Sequence, residues 1–508
     1  MGNYLFDGLL EKVDPAARFA KSSDGRLFTY QDVLDRSAQF ANALADLGIK
    51  PGDRVAAQIP KSIDALMLYL GTVRAGGIFL ALNTAYTASE VDYFLENSEP
   101  GIFVCAPDDR QNYKDLADQR GITLETLGIW KSDGTGTGSL AFAADSAKTS
   151  FLNIDRNADD LAAILYTSGT TGRSKGAMLS HDNLFSNAKT LSHFWHFSKD
   201  DVLLHALPVF HTHGLFVATN IVLFTGASMI FHPSFNADDV IDALSRATSM
   251  MGVPTFYTRL LDNPRFDKTR VDHMRLFISG SAPLLAETHV DFERRTGHRI
   301  LERYGMTETN MNTSNPYLGE RRAGTVGIPL PGTALRIADP ETGIPLPDGE
   351  IGIIEVSGRN VFKGYWQMPE KTKEEFRDDG YFITGDLAKI DDEGYVHIVG
   401  RSKDLIISGG YNIYPKEVEL LLDEQDGVRE SAVIGVPHPD FGEGVIGILV
   451  QNGEQPIDAE NILASISDKI ARFKQPKRLY VVDELPRNTM GKVQKNVLRE
   501  QYGDAFSG

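Results

Sequence analysis

The chain has 508 residues, 42% of them hydrophobic and 24% charged, which is enough for two or more globular domains. Its formal net charge of -18 argues against nucleic acid or an anionic membrane as the main partner, because both attract positively charged surfaces. A single cysteine, Cys105, excludes an intrachain disulfide and is typical of a reducing compartment. Because Cys105 follows the apolar residues 102–104, we expect a buried structural thiol.

The first residues do not have the pattern of a secretory signal, since residues 1–6 lack a charged segment and an apolar core. The most apolar stretch, residues 215–231, is interrupted by Asn220, Thr225 and Gly226, which favours buried core over a membrane span. We therefore expect a cytoplasmic protein with no membrane partner and no nucleic-acid partner.

The first predicted helix follows Thr29, a residue type that caps helix N-termini. This helix carries Phe40, Leu44 and Leu47 on one face, and Gly48 ends it. A turn then leads into a strand at residues 54–57. Strand-like and helix-like segments continue to alternate along the first four-fifths of the chain, the pattern of a layered α/β fold.

Short apolar runs at residues 161–165, 202–207 and 276–278 predict buried strands. Each run leads into a polar or glycine-bearing segment. Ligands of open α/β sheets collect beyond the carboxyl ends of the strands, so the segments after these runs are candidate binding loops.

The sequence changes in character near residue 400, where the polar residues 400–404 follow a predicted strand at 394–399. A small α/β domain is predicted after them, with a helix at Pro415–Leu422, strands at Ala432–Val436 and Ile446–Val450, a helix from Glu460 and a strand at Leu479–Val482. We place the boundary at Gly400–Lys403, between domains of residues 1–400 and 401–508.

Residues 166–176, Tyr-Thr-Ser-Gly-Thr-Thr-Gly-Arg-Ser-Lys-Gly, have the chemistry of a loop that holds a polyphosphate. Glycines permit close backbone approach, and hydroxyls, amides and cations surround an anion. A solvent-exposed turn is the alternative. A Walker A loop is excluded, because that motif needs Ser or Thr directly after the lysine and Lys175 is followed by Gly176.

Residue for residue, this segment resembles the phosphate loop of the acyl-adenylate-forming enzymes, which include acyl-CoA synthetases, firefly-type luciferases and adenylation domains of peptide synthetases. The resemblance implies a large N-terminal domain of layered sheets and helices with a smaller mobile α/β C-terminal domain. It also implies an ATP-binding loop formed by Thr167, Ser168, Gly169, Thr170, Thr171, Gly172 and Lys175.

A second motif, residues 302–309, supplies an oxygen ligand suited to Mg²⁺ in Glu308, a hydroxyl in Thr307 and a flat face for a purine in Tyr304. The alternative is a helix start with an acidic first turn. In the family the matching positions bind adenine, phosphate and Mg²⁺, and the segment from Gly280 faces the adenine. The resemblance therefore implies catalytic roles for Thr307 and Glu308, with Glu308 as metal ligand, and nucleotide contacts from Ser281, Ala282, Pro283, Glu302, Arg303, Tyr304, Gly305 and Met306.

Two further motifs follow. Asp386 lies on a tight turn and suits two ribose hydroxyls, with a surface turn as the alternative. The resemblance identifies Asp386 with the ribose-binding aspartate of the family, accompanied by Arg401. Lys492, otherwise a solvated charge, matches the catalytic lysine. A positioned ammonium there lowers the barrier between two reacting anions, and its loss costs on the order of 10²–10³-fold in rate.

Lys492 and Gly169 lie in different predicted domains. The resemblance implies that the small domain closes for adenylation and then turns about a hinge at Lys403 for thioester formation, with residues 408–412 on the thioester-stage face. It also implies a lysine acetyltransferase as a partner, since acetylation of Lys492 would remove the charge.

The acid must be predicted from other residues. Zinc at His211 and His213 is discounted, because no third ligand is evident beside them in the sequence. By resemblance His211 gates the acyl pocket, residues 251–259 line it, and Ser281 and Met306 also contact the substrate. Arg259 suits a second carboxylate if it is buried, because guanidinium pairs bidentately with carboxylate, and a surface residue is the alternative.

Residues 279–331, and residues 307–316 in particular, closely resemble malonyl-CoA synthetases, and the likeness extends over essentially the whole chain. It implies that malonate, and more slowly methylmalonate, reacts with ATP and CoA to give malonyl-CoA, AMP and pyrophosphate, with Mg²⁺ as cofactor. Another short-chain or medium-chain acyl-CoA synthetase, or a stand-alone adenylation module, is the alternative. We expect a monomer or weak dimer.

Overall fold

The computed structural model describes residues 2–130, 136–167, 174–409, 411–453, 457–467, 469–488 and 491–506. The chain divides into two compact units, residues 1–334 with 356–382 and residues 335–355 with 383–508. The functional domains 1–400 and 401–508 stay a prediction.

The strands up to residue 329 are β1 (Arg18–Ser22), β2 (Leu27–Thr29), β3 (Arg54–Gln58), β4 (Ile78–Ala81), β5 (Ile102–Cys105), β6 (Thr123–Thr126), β7 (Leu161–Thr167), β8 (Lys175–Ser180), β9 (Val202–His205), β10 (Ser228–Phe231), β11 (Ser249–Gly252), β12 (Leu276–Ser279), β13 (Leu301–Met306), β14 (Asn310–Ser314) and β15 (Ile328–Pro329). The later strands are β16 (Thr333–Ala338), β17 (Gly352–Gly358), β18 (Phe382–Ile390), β19 (Val396–Arg401), β20 (Ile406–Ser408), β21 (Tyr411–Ile413), β22 (Val428–His438), β23 (Gly442–Gln451) and β24 (Arg478–Val482).

The helices of the first unit are α1 (Tyr4–Leu10), α2 (Tyr30–Asp46), α3 (Ile63–Arg74), α4 (Ala88–Ser98), α5 (Arg110–Arg120), α6 (Ser139–Ser146), α7 (His181–Phe194), α8 (Thr219–Thr225), α9 (Ala237–Leu244), α10 (Pro254–Asp262), α11 (Lys268–Val271), α12 (Ala286–Thr296) and α13 (Pro369–Glu374). Those of the second unit are α14 (Pro415–Asp423), α15 (Ala459–Ile466) and α16 (Lys495–Tyr502). A π-helical segment, His213–Ala218, precedes α8, and 3-10 turns lie at Pro107–Asp109, Ser402–Asp404 and Arg472–Lys474.

Among the described residues, the first unit contains two large mixed sheets, with the strand orders β15-β14-β13-β12-β11-β9-β10-β1-β2 and β6-β5-β3-β4-β7-β8. In the first sheet β9, β11, β12 and β13 run parallel, and their register aligns Met251 with His205, Gly252 with Ser279, and Ser279 with Glu302. The carboxyl ends of these strands therefore meet at one edge, and the segments that follow them lie beside each other.

Local sequence explains the helix after Thr29. The Thr29 side chain accepts from the Asp32 amide and the Asp32 carboxylate accepts from the Thr29 amide, a reciprocal capping box. Phe40 and Leu44 are buried, and Gly48 follows the helix with φ +92. The predicted helix, its cap and its end are confirmed.

The predicted strands at 161–165, 202–207 and 276–278 are confirmed as β7, β9 and β12. Cys105 is fully buried at the end of β5, and burial raises the pKa of its thiol to about 12, as a structural thiol requires. Residues 215–231 form buried π-helical, α8 and β10 segments. Within the described part of the chain no helix combines the length and the apolar character that a membrane crossing needs.

In the second unit, β22 and β23 form a hairpin, β24 pairs parallel with β23, and β20 pairs on the other edge of β23. Helices α14 and α15 pack on this sheet through Val418, Leu422 and Ile462. The helix, strands and helix that the sequence predicts after residue 410 are confirmed, as is the mixed α/β fold class. A separate sheet, β16-β17-β18-β19, places Asp386 opposite Arg401.

Candidate active site

A buried arginine lies at the carboxyl edge of the first sheet. Arg303, on β13, is 3% exposed, and its Nε and Nη2 atoms have no hydrogen-bond partner among the described residues. Burial lowers the pKa of its guanidinium to about 9. The charge of the neighbouring Glu302 offsets only part of the cost of burial, and the two buried donors still lack a partner among the described residues, so this guanidinium has the properties of an anion receptor.

The absence of a side chain at Gly280 leaves the space that the Arg303 guanidinium occupies. A Cβ at Gly280 would lie 2.4 Å from the Cζ atom of Arg303, so a side chain at position 280 would displace it. The Glu302 Oε1 atom accepts from the Leu284 amide at 3.1 Å and ties the segment after β12 to β13. The guanidinium therefore lies between two strand ends that are fixed to each other.

His213 faces the same region. Its Nδ1 atom lies 3.1 Å from the Ser281 hydroxyl, and its Nε2 atom is buried without a partner among the described residues. Burial, followed by the charge of Arg303, holds the pKa of His213 well below its usual range. Ser281 has φ +74, a conformation that turns the chain sharply after β12. We call Arg303, His213 and Ser281 the acid cluster, after the acid anion that these cationic and polar side chains could bind.

The π-helical segment that begins at His213 is held from the other side. Its Gly214 carbonyl lies 2.9 Å from the His205 Nε2 atom and accepts from the Thr219 hydroxyl at 2.9 Å. Lys61 donates to the His205 carbonyl at 2.9 Å. Single π turns are often found at functional sites, and here the turn sets the position of His213.

Two of the predicted acid-pocket residues, Arg259 and His211, differ in exposure. Arg259 lies in the last turn of α10 and is exposed, so its guanidinium does not meet the premise of burial. His211 is half-buried, with its ring 5.3 Å from the Phe210 ring. The sequence motif placed Arg303 with the nucleotide and gave His213 no role. The signal for Arg303 was an arginine that follows the apolar residues 300–301 at the start of β13.

A second group of side chains lies where β7, β8 and β13 end or begin. The Glu308 Oε1 atom accepts from the Thr167 hydroxyl at 3.1 Å and lies 3.2 Å from the Tyr365 hydroxyl oxygen. The Tyr365 hydroxyl donates to the Glu375 Oε2 atom at 2.6 Å, and the Lys175 Nζ atom lies 2.7 Å from the Glu375 Oε1 atom. We call these five residues the phosphate-side cluster.

The phosphate-side cluster fits a magnesium ion through Glu308, because a buried carboxylate beside two hydroxyls is an all-oxygen donor set. Among the residues that the structure describes, no three His, Cys, Asp or Glu side chains group closely enough to hold a metal by themselves. Magnesium, which keeps waters and phosphate oxygens as ligands, does not need such a group. The predicted loop residues Ser168, Gly169, Thr170, Thr171 and Gly172 lie outside the described residues.

The motif 302–309 is a strand and a turn. Residues 301–306 form β13 and residues 307–309 a turn, so the alternative of a helix start is wrong. Thr307 lies in that turn, and Tyr304, Gly305 and Met306 are half-buried. A Cβ at Gly305 would lie 1.9 Å from the Asn310 carbonyl oxygen, so the β13–β14 turn requires glycine there. Of the segment after Gly280, Ala282 is half-buried and Pro283 exposed.

The remaining predicted residues lie in the second unit. The Asp386 Oδ1 atom is 2.6 Å from the Arg401 Nε atom, and Asp386 is buried. Lys403 lies in the 3-10 turn after β19, and burial lowers the pKa of its ammonium. Lys492 is exposed, in a loop closed by the Lys492 amide donating to the Asn488 side chain at 3.0 Å and the Asn488 amide donating to the Lys492 carbonyl at 2.9 Å.

Comparison with known proteins shows which family the chain belongs to. The model of the AMP-binding enzyme family matches residues 11–366, and that of the AMP-binding enzyme C-terminal domain matches residues 417–492. A feruloyl-CoA synthase of an Amycolatopsis species is 35% identical over 484 residues, covering 94% of this chain and 95% of that protein. A malonate–CoA ligase of Arabidopsis thaliana is 33% identical over 532 residues, covering 95% of this chain and 86% of that protein.

Among solved structures, the crystal structure of ATP-bound MatB from Rhodopseudomonas palustris matches with a TM-score of 0.97 and 59% identity, over 100% of each chain. The two sequence relatives are named for different acids although their identities to this chain are nearly equal. Sequence identity at that level identifies the type of enzyme. The acid that the enzyme activates has to be inferred from the residues of the pocket. The chain belongs to the AMP-binding enzyme family, whose members form acyl-adenylates.

Proposed function

We propose that the protein is a malonate–CoA ligase. One carboxylate of malonate attacks the α-phosphorus of ATP, the bond from that phosphorus to the bridging oxygen breaks, and pyrophosphate leaves. The thiol of CoA then attacks the acyl carbon of malonyl-adenylate, loses its proton, and expels AMP. Methylmalonate is a slower substrate, since one methyl group changes affinity modestly.

The observation that supports malonate is the buried Arg303 guanidinium, whose Nε and Nη2 atoms have no partner among the described residues. A fatty or aromatic acid would leave these two buried donors without a partner, which is costly. A second carboxylate pairs with it bidentately and accepts a further hydrogen bond from Ser281 or His213. We therefore assign the recognition of the distal carboxylate to the acid cluster rather than to the exposed Arg259. The 59% identity to MatB over the full chain agrees with this assignment.

The reacting carboxylate belongs at the other end of the three-carbon acid, toward the phosphates. Lys175 and Thr167 are the described residues that we expect to hold the leaving pyrophosphate, with the predicted loop residues between them. Glu308 would hold magnesium, which when bound neutralises charge on the phosphates. Asp386 and Arg401 are proposed to bind the ribose, and Lys492 to stabilise the charge that develops at the α-phosphate.

Lys492 belongs to the second unit and Lys175 to the first, so the proposed adenylation uses residues of both units. We propose that Lys403 is the hinge for the later thioester step and that residues 408–412 then face the thiol; residue 410 lies outside the described residues. Acetylation of Lys492 by a protein acetyltransferase, a monomeric or weakly dimeric state and a cytoplasmic location complete the proposal. The single cysteine and the use of CoA support that location.

The test is product analysis by mass spectrometry. Purified protein with malonate, Mg²⁺-ATP and CoA is expected to form malonyl-CoA, AMP and pyrophosphate in equal amounts. Without CoA, enzyme-bound malonyl-adenylate is expected. Release of ADP and phosphate would refute an adenylate mechanism, whereas AMP formation with another acid and none with malonate would refute the substrate alone.

A further inference from the structure

In the phosphate-side cluster, Lys175 forms an ion pair with Glu375. The Lys175 Nζ atom is 2.7 Å from the Glu375 Oε1 atom and 4.1 Å from the centre of the Tyr365 ring. The side chains of Lys175 and Glu375 are 12% and 21% exposed, so water screens the pair only in part. Lys175, which we expect to bind pyrophosphate, therefore has to break its ion pair with Glu375 first.

Glu375 is held in place whether or not Lys175 is bound to it. The Tyr365 hydroxyl donates to its second oxygen at 2.6 Å, and the Lys371 ammonium lies 3.3 Å from its first oxygen. Hydrogen bonds from Lys175 and Tyr365 outweigh burial and hold the pKa of Glu375 below its usual range, so it is ionised at neutral pH. Losing Lys175 does not leave this carboxylate alone, because Lys371 remains beside it.

Tyr365 connects this carboxylate to the proposed magnesium ligand. Its hydroxyl oxygen lies between the two acidic side chains, 2.6 Å from the Glu375 Oε2 atom and 3.2 Å from the Glu308 Oε1 atom. Two acidic side chains, Glu375 and Glu308, thus lie in the cluster that we propose to bind the phosphates.

We propose that Glu375 is a positioning residue that competes with polyphosphate for Lys175. The Glu375–Lys175 ion pair fixes the position of the lysine before ATP binds. The pair forms again as pyrophosphate leaves, which favours release of pyrophosphate from the enzyme. The inference rests on the proposed role of Lys175 within the adenylation reaction, and it does not depend on which acid is activated.

The experiment is titration calorimetry of magnesium pyrophosphate, and separately of magnesium ATP, without any acid. Glu375→Gln keeps the shape and an acceptor for Tyr365 but removes the charge. We expect it to bind pyrophosphate about three- to ten-fold more tightly, the effect of removing one partly buried competing ion pair. Inhibition of turnover by pyrophosphate should strengthen by the same factor.

The matched control is Glu374→Gln, on the neighbouring exposed residue, which pairs with Lys371 at 3.0 Å and not with Lys175. It is expected to bind pyrophosphate as the wild type does. Lys175→Gln is expected to weaken pyrophosphate binding by ten-fold or more, and the shorter Glu375→Asp to bind at an intermediate strength.

Unchanged or weaker pyrophosphate binding by both Glu375 variants, with thermal unfolding as in the wild type, would overturn the competitor role. If Lys175→Gln bound pyrophosphate normally, Lys175 would not be a pyrophosphate ligand and the inference would fail with it. Neither result would alter the product analysis with malonate, so the two proposals fail separately.

Discussion

Arg303→Met tests the proposed recognition of the second carboxylate. The substitution keeps an unbranched side chain of similar volume beside Gly280 and removes every donor of the guanidinium. Two charge-assisted hydrogen bonds to a buried carboxylate contribute about 3–6 kcal/mol together. We therefore expect kcat/KM for malonate to fall by about 10²–10⁴-fold, with a much smaller change in KM for ATP.

The ligand-free stability separates this effect from misfolding. Since the Nε and Nη2 atoms of Arg303 have no partner among the described residues, replacing the guanidinium by an apolar group should leave the unfolding temperature unchanged or raise it. The assay measures pyrophosphate release with malonate and with propionate, which has the same number of carbons and one carboxylate. The preference for malonate over propionate should collapse in Arg303→Met.

Arg259→Met is the matched control, because it removes the same guanidinium from an exposed position of α10. It is expected to keep most of the malonate activity. If Arg259→Met lost that activity while Arg303→Met retained it, the second carboxylate would bind at Arg259 and the acid-cluster assignment would be refuted.

Three further predictions concern other residues. Lys492→Gln, or acetylated Lys492, should slow ATP–pyrophosphate exchange by about 10²–10³-fold, and exchange at the wild-type rate would contradict its role. Cys105 should resist iodoacetamide in the folded protein and react after unfolding, because burial raises its pKa to about 12; labelling of the native protein, read by mass spectrometry, would show that the thiol is accessible. Burial raises the pKa of Asp423 to about 6, so the folded state holds a proton that the unfolded state releases near pH 4, and stability falls as pH rises from about 4 to 6. In urea unfolding, Asp423→Asn should therefore be more stable than the wild type by on the order of 2 kcal/mol at pH 8 and equally stable near pH 4. The exposed Asp426→Asn is the control. An Asp423→Asn variant less stable than the wild type at pH 8 would contradict the expected sign of the stability change.

Much of the local structure could be predicted from the sequence. Short-range signals decided it: a capping pair at Thr29 and Asp32, a glycine after the helix, and continuous apolar runs for β7, β9 and β12. These signals depend on neighbouring residues, so they survive without knowledge of the tertiary fold. The order of the strands in the two large sheets could not be predicted, because it depends on long-range pairing.

The surroundings of Arg259 and Arg303 could not be predicted from the sequence, for two physical reasons. Helical phase decides the exposure of Arg259: Phe256, Tyr257 and Leu260 are buried and form the inner face of α10, which turns Arg259 outward. Arg303 belongs to a motif whose neighbours bind nucleotide, and sequence order cannot reveal that β13 brings it beside Ser281 and His213.

The most direct test of the account is pyrophosphate release measured with acetate, malonate, methylmalonate, succinate and a fatty acid, each with ATP, Mg²⁺ and CoA. The account predicts the highest kcat/KM for malonate, a lower value for methylmalonate, and values at least about a hundred-fold lower for the monocarboxylic acids, which cannot pair with the buried guanidinium. Faster turnover of acetate or of the fatty acid than of malonate would contradict it.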